Sequence, residues 1–269
     1  MRAVSPRSIS PAASDDVGDR NFVKSLAKGL AILRAFEQGE LLGNQDLVRL
    51  TGLPKATVSR LTGTLQDLGY LKLDPLTRKH LLAARWLGLS AAGQRHLALR
   101  QRLRPMLDDL ALALDLTVIL GAREHLSVLF LEMSRPTRSL LTVNTAPGSL
   151  VPIASTAIGL AYLVGAPVGE RTQILQELRE QDPADWDATR RVVEQAHKDH
   201  AALGFVVHQR SRGGAVSGVG MALQVPPHGH LTVACAGPSS ELTRRRLVES
   251  VGPRLRDVVR QMQKVVEPA

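Results

Sequence analysis

Aromatic residues are scarce in this chain. Phe, Trp and Tyr make up 3% of its 269 residues, so an interior has to be built mainly from Leu, Val and Ala. One cysteine, Cys235, rules out an intrachain disulfide and gives no sign of an oxidising compartment. No apolar run approaches the roughly 18 residues of a membrane-spanning helix. The opening MRAVSPRSISPAASDD lacks the continuous apolar stretch of a secretory signal, and a cytoplasmic protein is expected. Catalytic patterns are missing as well. SRGGAVSGVG is rich in glycine but lacks the Lys-Ser/Thr that completes a P-loop, and no Gly-x-Ser-x-Gly surrounds Ser155 or Thr156. His197 and His200 flank Asp199 without a third ligand at a recognisable distance. No enzyme activity, cofactor or bound metal is therefore expected.

What is present is an uneven distribution of charge. The chain holds 34 Lys+Arg and 25 Asp+Glu; residues 1–104 carry 17 and 8 of these, a net +9, and residues 105–269 carry 17 of each. A basic segment joined to a neutral one points to a polyanion binder coupled to a second module. An apolar content of 44% and this length allow two ordinary domains.

Residues 1–20 are rich in Ser, Pro, Ala and Asp and read as a disordered tail. Leu26, Leu30 and Leu33, with Phe36, repeat at helical spacing from Lys24 to near Gly39. Asn44 reads as the N-cap of a second helix with Leu47, Val48 and Leu50 inward, ended by Thr51 and Gly52. A third helix follows over residues 52–68, GLPKATVSRLTGTLQDL. Val58, Leu61, Leu65 and Leu68 share one face, Pro54 suits its first turn, and Gly69 ends it. The other face carries Ala56, Arg60, Gly63 and Gln66, with Lys55, Thr57 and Ser59 near the start. Small, hydrogen-bonding side chains around one arginine fit a helix that enters a DNA major groove. Helix, helix, short turn, helix is a helix-turn-helix layout. In YLKLDPLTRKHLL, two short strands flank Asp74-Pro75 and place Lys72, Arg78 and Lys79 on or near a hairpin tip. Such a wing contacts phosphates and supplies affinity and salt dependence.

Residues 85–102 read as a connecting helix with a basic end (Arg95, Arg100, Arg102, Arg104), and Pro105 as the domain boundary. Trp86 and Leu87 read as packing residues. Beyond come a helix through Leu114, strands at 118–122, 128–132 and 139–144, and helices at 156–164, 171–180 and 189–202. Strands at 205–208, 217–224 and 231–236 and a helix over 241–265 close the pattern. This is an α+β domain around an antiparallel sheet. Cys235 alternates with Leu231 and Val233 and reads as a core thiol.

From residue 22 to 266 the chain resembles the IclR family of bacterial transcriptional regulators. The resemblance rests on KSLAKGLAIL, TGLPKATVSRLTGTLQDLGYL, GSLVPIASTAIGLAYL, LGFVVHQRSRGGAVSGVGMAL and HLTVACAGPSS, the second being the most specific. It implies a winged helix-turn-helix at 21–84, a linker helix used in dimerisation at 85–104, and a GAF-like α/β effector-binding and oligomerisation domain at 105–269. Members form dimers or tetramers and control catabolic genes, and a repressor acting on double-stranded operator DNA is the implied role. By match, Lys55, Thr57, Ser59 and Arg60 lie at the groove, Lys72, Arg78 and Lys79 hold the wing, and Gln45 reaches a phosphate. Ala154, Ser155, Thr156 and Ala157 form a loop entering a helix, whose N–H groups and dipole favour a carboxylate. With His208, Arg210, Gly218, Cys235 and Arg138 they would meet a small organic or aromatic acid. The chain departs from the family pattern with Leu160 for a frequent lysine, Arg210 and Ser211 for an acidic pair, and Gly218 for a frequent cysteine. A ligand-independent regulator with a degenerate pocket, and an enzyme housed in residues 105–269, stay open as alternatives.

Overall fold

Burial in the first part of the chain follows helical spacing, but along a different stripe from the one the leucines draw. Residues 22–86, 88, 94–136, 145–209, 216–226 and 229–267 are described by a computed structural model, which divides at Gln94/Arg95 into two units. In the first unit, α1 spans Lys24–Arg34 and runs into a 3-10 turn, Ala35–Gln38; α2 is Asn44–Thr51 and α3 Lys55–Asp67. Leu26 and Leu30 are 62% and 50% exposed, contrary to expectation, while Ala31, Ile32, Ala35 and Phe36 are buried. Both stripes satisfy the helical period. The expected stripe holds at its end, where Leu33 and Phe36 join Ile32 and Ala35 over Leu47, Val58 and Leu65, and that contact decides the orientation.

The α2 start also differs from the sequence reading. The Asp46 carboxylate accepts the Gly43 N–H at 3.1 Å, so Gly43 is the cap and Asn44 the first helical residue. This leaves the Asn44 side chain for the His80 Nε2, 3.0 Å away. Gly52 adopts the left-handed region (φ 69°), which stops α2 and lets α3 begin after Pro54. Strands β1 (Leu71–Leu73) and β2 (His80–Leu82) pair antiparallel as the wing. Leu42 adds a bridge to His80 through two backbone hydrogen bonds of 2.9 and 3.0 Å. Trp86 donates its indole N–H to the Tyr70 carbonyl (3.0 Å) and packs on the Tyr70 ring, so it closes the base of the wing.

In the second unit a six-stranded antiparallel sheet has the order β5-β4-β3-β8-β7-β6. Its strands are β3 (Thr117–Glu124), β4 (Ser127–Ser134), β5 (Leu150–Pro152), β6 (Val206–His208), β7 (Val216–Gln224) and β8 (His230–Pro238). Helix α4 (Gln94–Leu114) runs through Pro105 without a break. A mid-helix proline costs about 3 kcal/mol; the buried Leu103, Leu107, Leu110 and Leu114 on either side offset it, so Pro105 ends no helix. The segment expected as a strand at 139–144 lies outside the described residues.

Alternation along the strands splits the interior in two. Val118, Leu120, Val219, Val233 and Cys235 face α4 and the last helix, α8 (Gly252–Val266), which a π-helical turn, Leu247–Val251, precedes. Ile119, Phe130, Val206 and Ala234 face α5 (Ala157–Gly165), α6 (Val168–Gln181) and α7 (Trp186–Leu203). Both faces are covered, which explains the long apolar runs in β3 and β8.

Two expectations follow. A methyl group on Gly220 would sit 2.5 Å from the Ala157 carbonyl oxygen and 2.9 Å from the Ala161 Cβ. Gly220→Ala should therefore destabilise the second unit by about 1–3 kcal/mol, read by thermal unfolding. Burial also holds the His80 and His230 imidazoles below the ordinary histidine value. The folded chain prefers them neutral, whereas the unfolded chain takes up protons as pH falls through about 6.5. Stability is full above that value and is lost below it, so the melting temperature should be lower near pH 5.5 than near pH 7.5. A flat profile would contradict this.

Candidate functional site

Helix α3 buries Val58, Thr62 and Leu65 and half-buries Leu61. Leu68 caps the helix and is 53% exposed, so the apolar stripe ends one turn earlier than its spacing predicts. On the opposite side Lys55, Ala56, Ser59 and Arg60 are exposed and Thr57 is half-buried. The Thr62 hydroxyl donates to the Val58 and Ser59 carbonyls, and that of Thr64 to the Arg60 carbonyl. Those two threonines are thus spent on the helix itself. Among the described residues no carboxylate pairs with Lys55 or Arg60. The face is a set of donors around one guanidinium, without internal neutralisation.

The wing adds cations beside it. Lys72, Arg78 and Lys79 are all exposed. Between them the Asp74 carboxylate turns inward to accept from the Thr77 N–H (2.7 Å) and hydroxyl (2.5 Å), and these bonds lower its pKa. Gln45 is exposed in the first turn of α2. The Lys79 stem reaches the same helix start, lying 4.0 Å from where a side chain on Gly43 would begin.

In the second unit, α5 rests on β7 so closely that only glycine fits beneath Ala157. Thr156 caps α5: its hydroxyl accepts the Gly159 N–H at 3.2 Å and donates to the Pro152 carbonyl at 2.9 Å. Ala154, Ser155 and Thr156 are half-buried and Ala157 is buried. Strand register aligns His208, Gly218, Ala236 and Thr117 across β6, β7, β8 and β3. By alternation this row belongs to the α5 side, and its centre carries only small residues. The fold thus brings the α5 entry loop, His208 and Gly218 to one face.

It does not bring Cys235 there. Cys235 lies on the opposite face with no exposed surface, and burial pushes its thiol pKa up. The physical reason is the two-residue period of β8, which turns Cys235 away when Ala234 and Ala236 face α5. Leu160 is buried in the α5 core. Arg210 and Arg138 lie outside the described residues. An open groove of about 780 Å³ between α6 and α7, lined by Arg179, Trp186, Arg190 and His197, contains none of the expected effector residues. Among the described residues no group of three His, Cys, Asp or Glu is placed to hold a metal, and no helix is long and apolar enough to cross a membrane.

Sequence spacing could not reveal the long-range polar contacts. Glu132, 6% exposed on β4, takes Arg100 of α4 at 3.0 Å and Arg104 at 3.9 Å. Glu170 accepts from Tyr162 (2.7 Å) and pairs with Arg123 (3.1 Å). Partners 47 or 32 positions apart leave no periodic signal.

Comparison with known proteins agrees with this geometry. Residues 25–75 match the IclR helix-turn-helix domain and residues 92–196 the bacterial transcriptional regulator IclR C-terminal domain. The chain is 46% identical over 245 residues to the HTH-type transcriptional regulator TsaQ1/TsaQ2 of Comamonas testosteroni, covering 90% of this chain and 87% of that one. The crystal structure of an IclR family transcriptional regulator from Brucella abortus aligns with a TM-score of 0.76 at 36% identity, covering 93% of this chain and 94% of that one. An IclR homologue from Microbacterium hydrocarbonoxydans, complexed with 4-hydroxybenzoate, shares the fold with a TM-score of 0.72 at 20% identity, over 90% and 98% of the two chains. With an unneutralised donor face on α3, a basic wing and an α+β second unit, this chain belongs to the IclR family of DNA-binding bacterial transcriptional regulators.

Proposed function

We propose that residues 21–84 read an operator through α3, with Arg60 as the base-reading or phosphate-anchoring arginine and Lys55, Thr57 and Ser59 beside it. The observation that carries this is the exposed donor face of α3, with no carboxylate paired to Lys55 or Arg60 among the described residues, opposite the face that buries Val58, Thr62 and Leu65. Lys72, Arg78 and Lys79 hold the backbone along the wing, and Gln45 adds a phosphate contact from α2. The chain works in the cytoplasm as a homodimer or tetramer. Support for a second copy comes from Phe22, Val23, Leu26 and Leu30, which leave an apolar stripe exposed on and before α1. Two heads would then meet half-sites about 34 Å apart, one helical turn.

We further propose that the second unit, residues 105–269 with the linker at 85–104, takes a small organic or aromatic acid between the α5 entry loop (Ala154, Ser155, Thr156, Ala157) and the His208–Gly218 row. Arg210 and Arg138 would supply charge. The 4-hydroxybenzoate bound by the Microbacterium relative supports this class of ligand. The effector would relieve repression of a catabolic operon, for which a coupling of about 1–3 kcal/mol suffices. A ligand-independent regulator is the second reading. It is favoured by Leu160, which puts a buried apolar group where the family often carries lysine.

Arg60→Ala should weaken binding to a selected operator by about 1–3 kcal/mol; unchanged affinity in a gel-shift titration would contradict the placement. Lys72→Ala should weaken binding to all duplexes about equally and reduce the salt slope by about 1. A loss confined to one sequence would exclude a backbone role. Thermal shift with 4-hydroxybenzoate and a panel of short and aromatic acids separates the two effector readings. Stabilisation that grows with ligand concentration supports the acid, and none across the panel supports the ligand-independent regulator.

A further inference from the structure

The wing places a leucine where folding has no use for one. Leu76 is 91% exposed, more than any other large apolar residue described. Single exposed leucines are ordinary; the seat of this one is not. The loop between β1 and β2 is cross-tied, with the Arg78 N–H on the Asp74 carbonyl (2.9 Å), the Asp74 N–H on the Lys79 carbonyl (2.8 Å), and the Asp74 carboxylate on Thr77. Arg78 takes the left-handed region (φ 57°), and Pro75 restricts the other side of the apex. Leu71 and His80 already fill the inward side of the hairpin. The apex therefore presents Leu76 rigidly and outward, with exposed Lys72, Arg78 and Lys79 around it.

Strand β1 starts three residues after Leu68, the cap of α3, and each strand of the wing has three residues. Three residues of strand give the wing a length of about 10 Å. For a helix seated in a major groove, the neighbouring minor groove is the next recess that a wing beside it can meet. Minor-groove binders insert apolar side chains between base pairs there, unstack one step and bend the duplex by 20–90°. Pyrimidine–purine steps open most easily, so such a wedge selects sequence without hydrogen-bonding a base. We propose that Leu76 is this wedge, seated by the flanking cations on the two phosphate strands. The wing then contributes sequence choice as well as affinity. This rests on the DNA-binding role proposed for α3 and the wing.

The test uses the full chain and a random duplex pool. Wild type, Leu76→Ala, Leu76→Met and Arg60→Ala are each taken through rounds of selection. Bending of the wild-type-selected duplex is then measured by energy transfer between end labels. Wild type should enrich a TA or CA/TG step at a fixed distance outside each half-site. Leu76→Ala should keep the half-site, lose that step, bind about 10-fold more weakly and bend the duplex by at least about 20° less. Leu76→Met, which keeps the apolar bulk, should retain the step and the bend. The wedge is overturned if Leu76→Ala enriches the same step and bends the duplex as wild type does, or if Met behaves like Ala. A half-site lost in Arg60→Ala but kept in Leu76→Ala locates major-groove reading on α3. Failure of wild type to enrich any duplex would remove the DNA-binding role itself, and the wedge with it.

Discussion

Helix α3 has to be gripped on one side and left bare on the other. Its grip comes from Val58 and Leu65, packed against Ile32, Phe36, Leu47 and Leu71, so the helix cannot roll without opening that core. Close packing of this kind resists small displacements because every methyl group has neighbours to lose. The free side can then hold cations without carboxylate partners. No desolvation accompanies the exposure of Lys55 and Arg60, whereas burying either would require a counter-charge. The wing inherits its position from the same core, through Leu71 and through the backbone bridge between Leu42 and His80.

The second unit has a different mechanical plan. Its sheet is covered by helices on both faces, and the two faces do separate work. One is filled by α4 and α8 over Cys235 and its neighbours. It is reinforced at its edge by Glu132, which is buried and paired with Arg100. Breaking a buried pair from one side costs about 3–5 kcal/mol because it strands the remaining charge. Helix α4 and strand β4 therefore behave as one piece. The other face receives α5 at glycine distance, and the row from His208 to Thr117 is small at its centre. Small side chains leave room on a sheet face, and Gly218 and Ala236 lie side by side in this row.

Much of this was legible from residue order alone. The helix-turn-helix and wing came from local periods, capping residues and turn chemistry, and all of these act over a few positions. Gly52, Pro54, Gly69 and Asp74-Pro75 punctuate the chain where the backbone turns. What failed were choices between equivalent stripes. Leu26 and Leu30 fit a helical face as well as Ile32 and Ala35 do, and only the partner helices distinguish them. Pro105 looked like a stop, yet leucines on both sides carry α4 through it. Cys235 reads as a core thiol from its strand pattern and is one; only the family resemblance groups it with effector residues, and strand alternation sends it to the other layer.

By itself, then, the amino-acid order determined the family, the basic head and neutral second module, and the α+β class, because charge, period and short motifs are written in adjacent residues. Tertiary structure alone decided which α1 stripe is wet, that Glu132 meets Arg100, that His208 and Gly218 are neighbours, and that Leu76 stands bare at a cross-tied apex. Those facts depend on what lies opposite a side chain across the fold, and no window of neighbouring residues contains the opposite side.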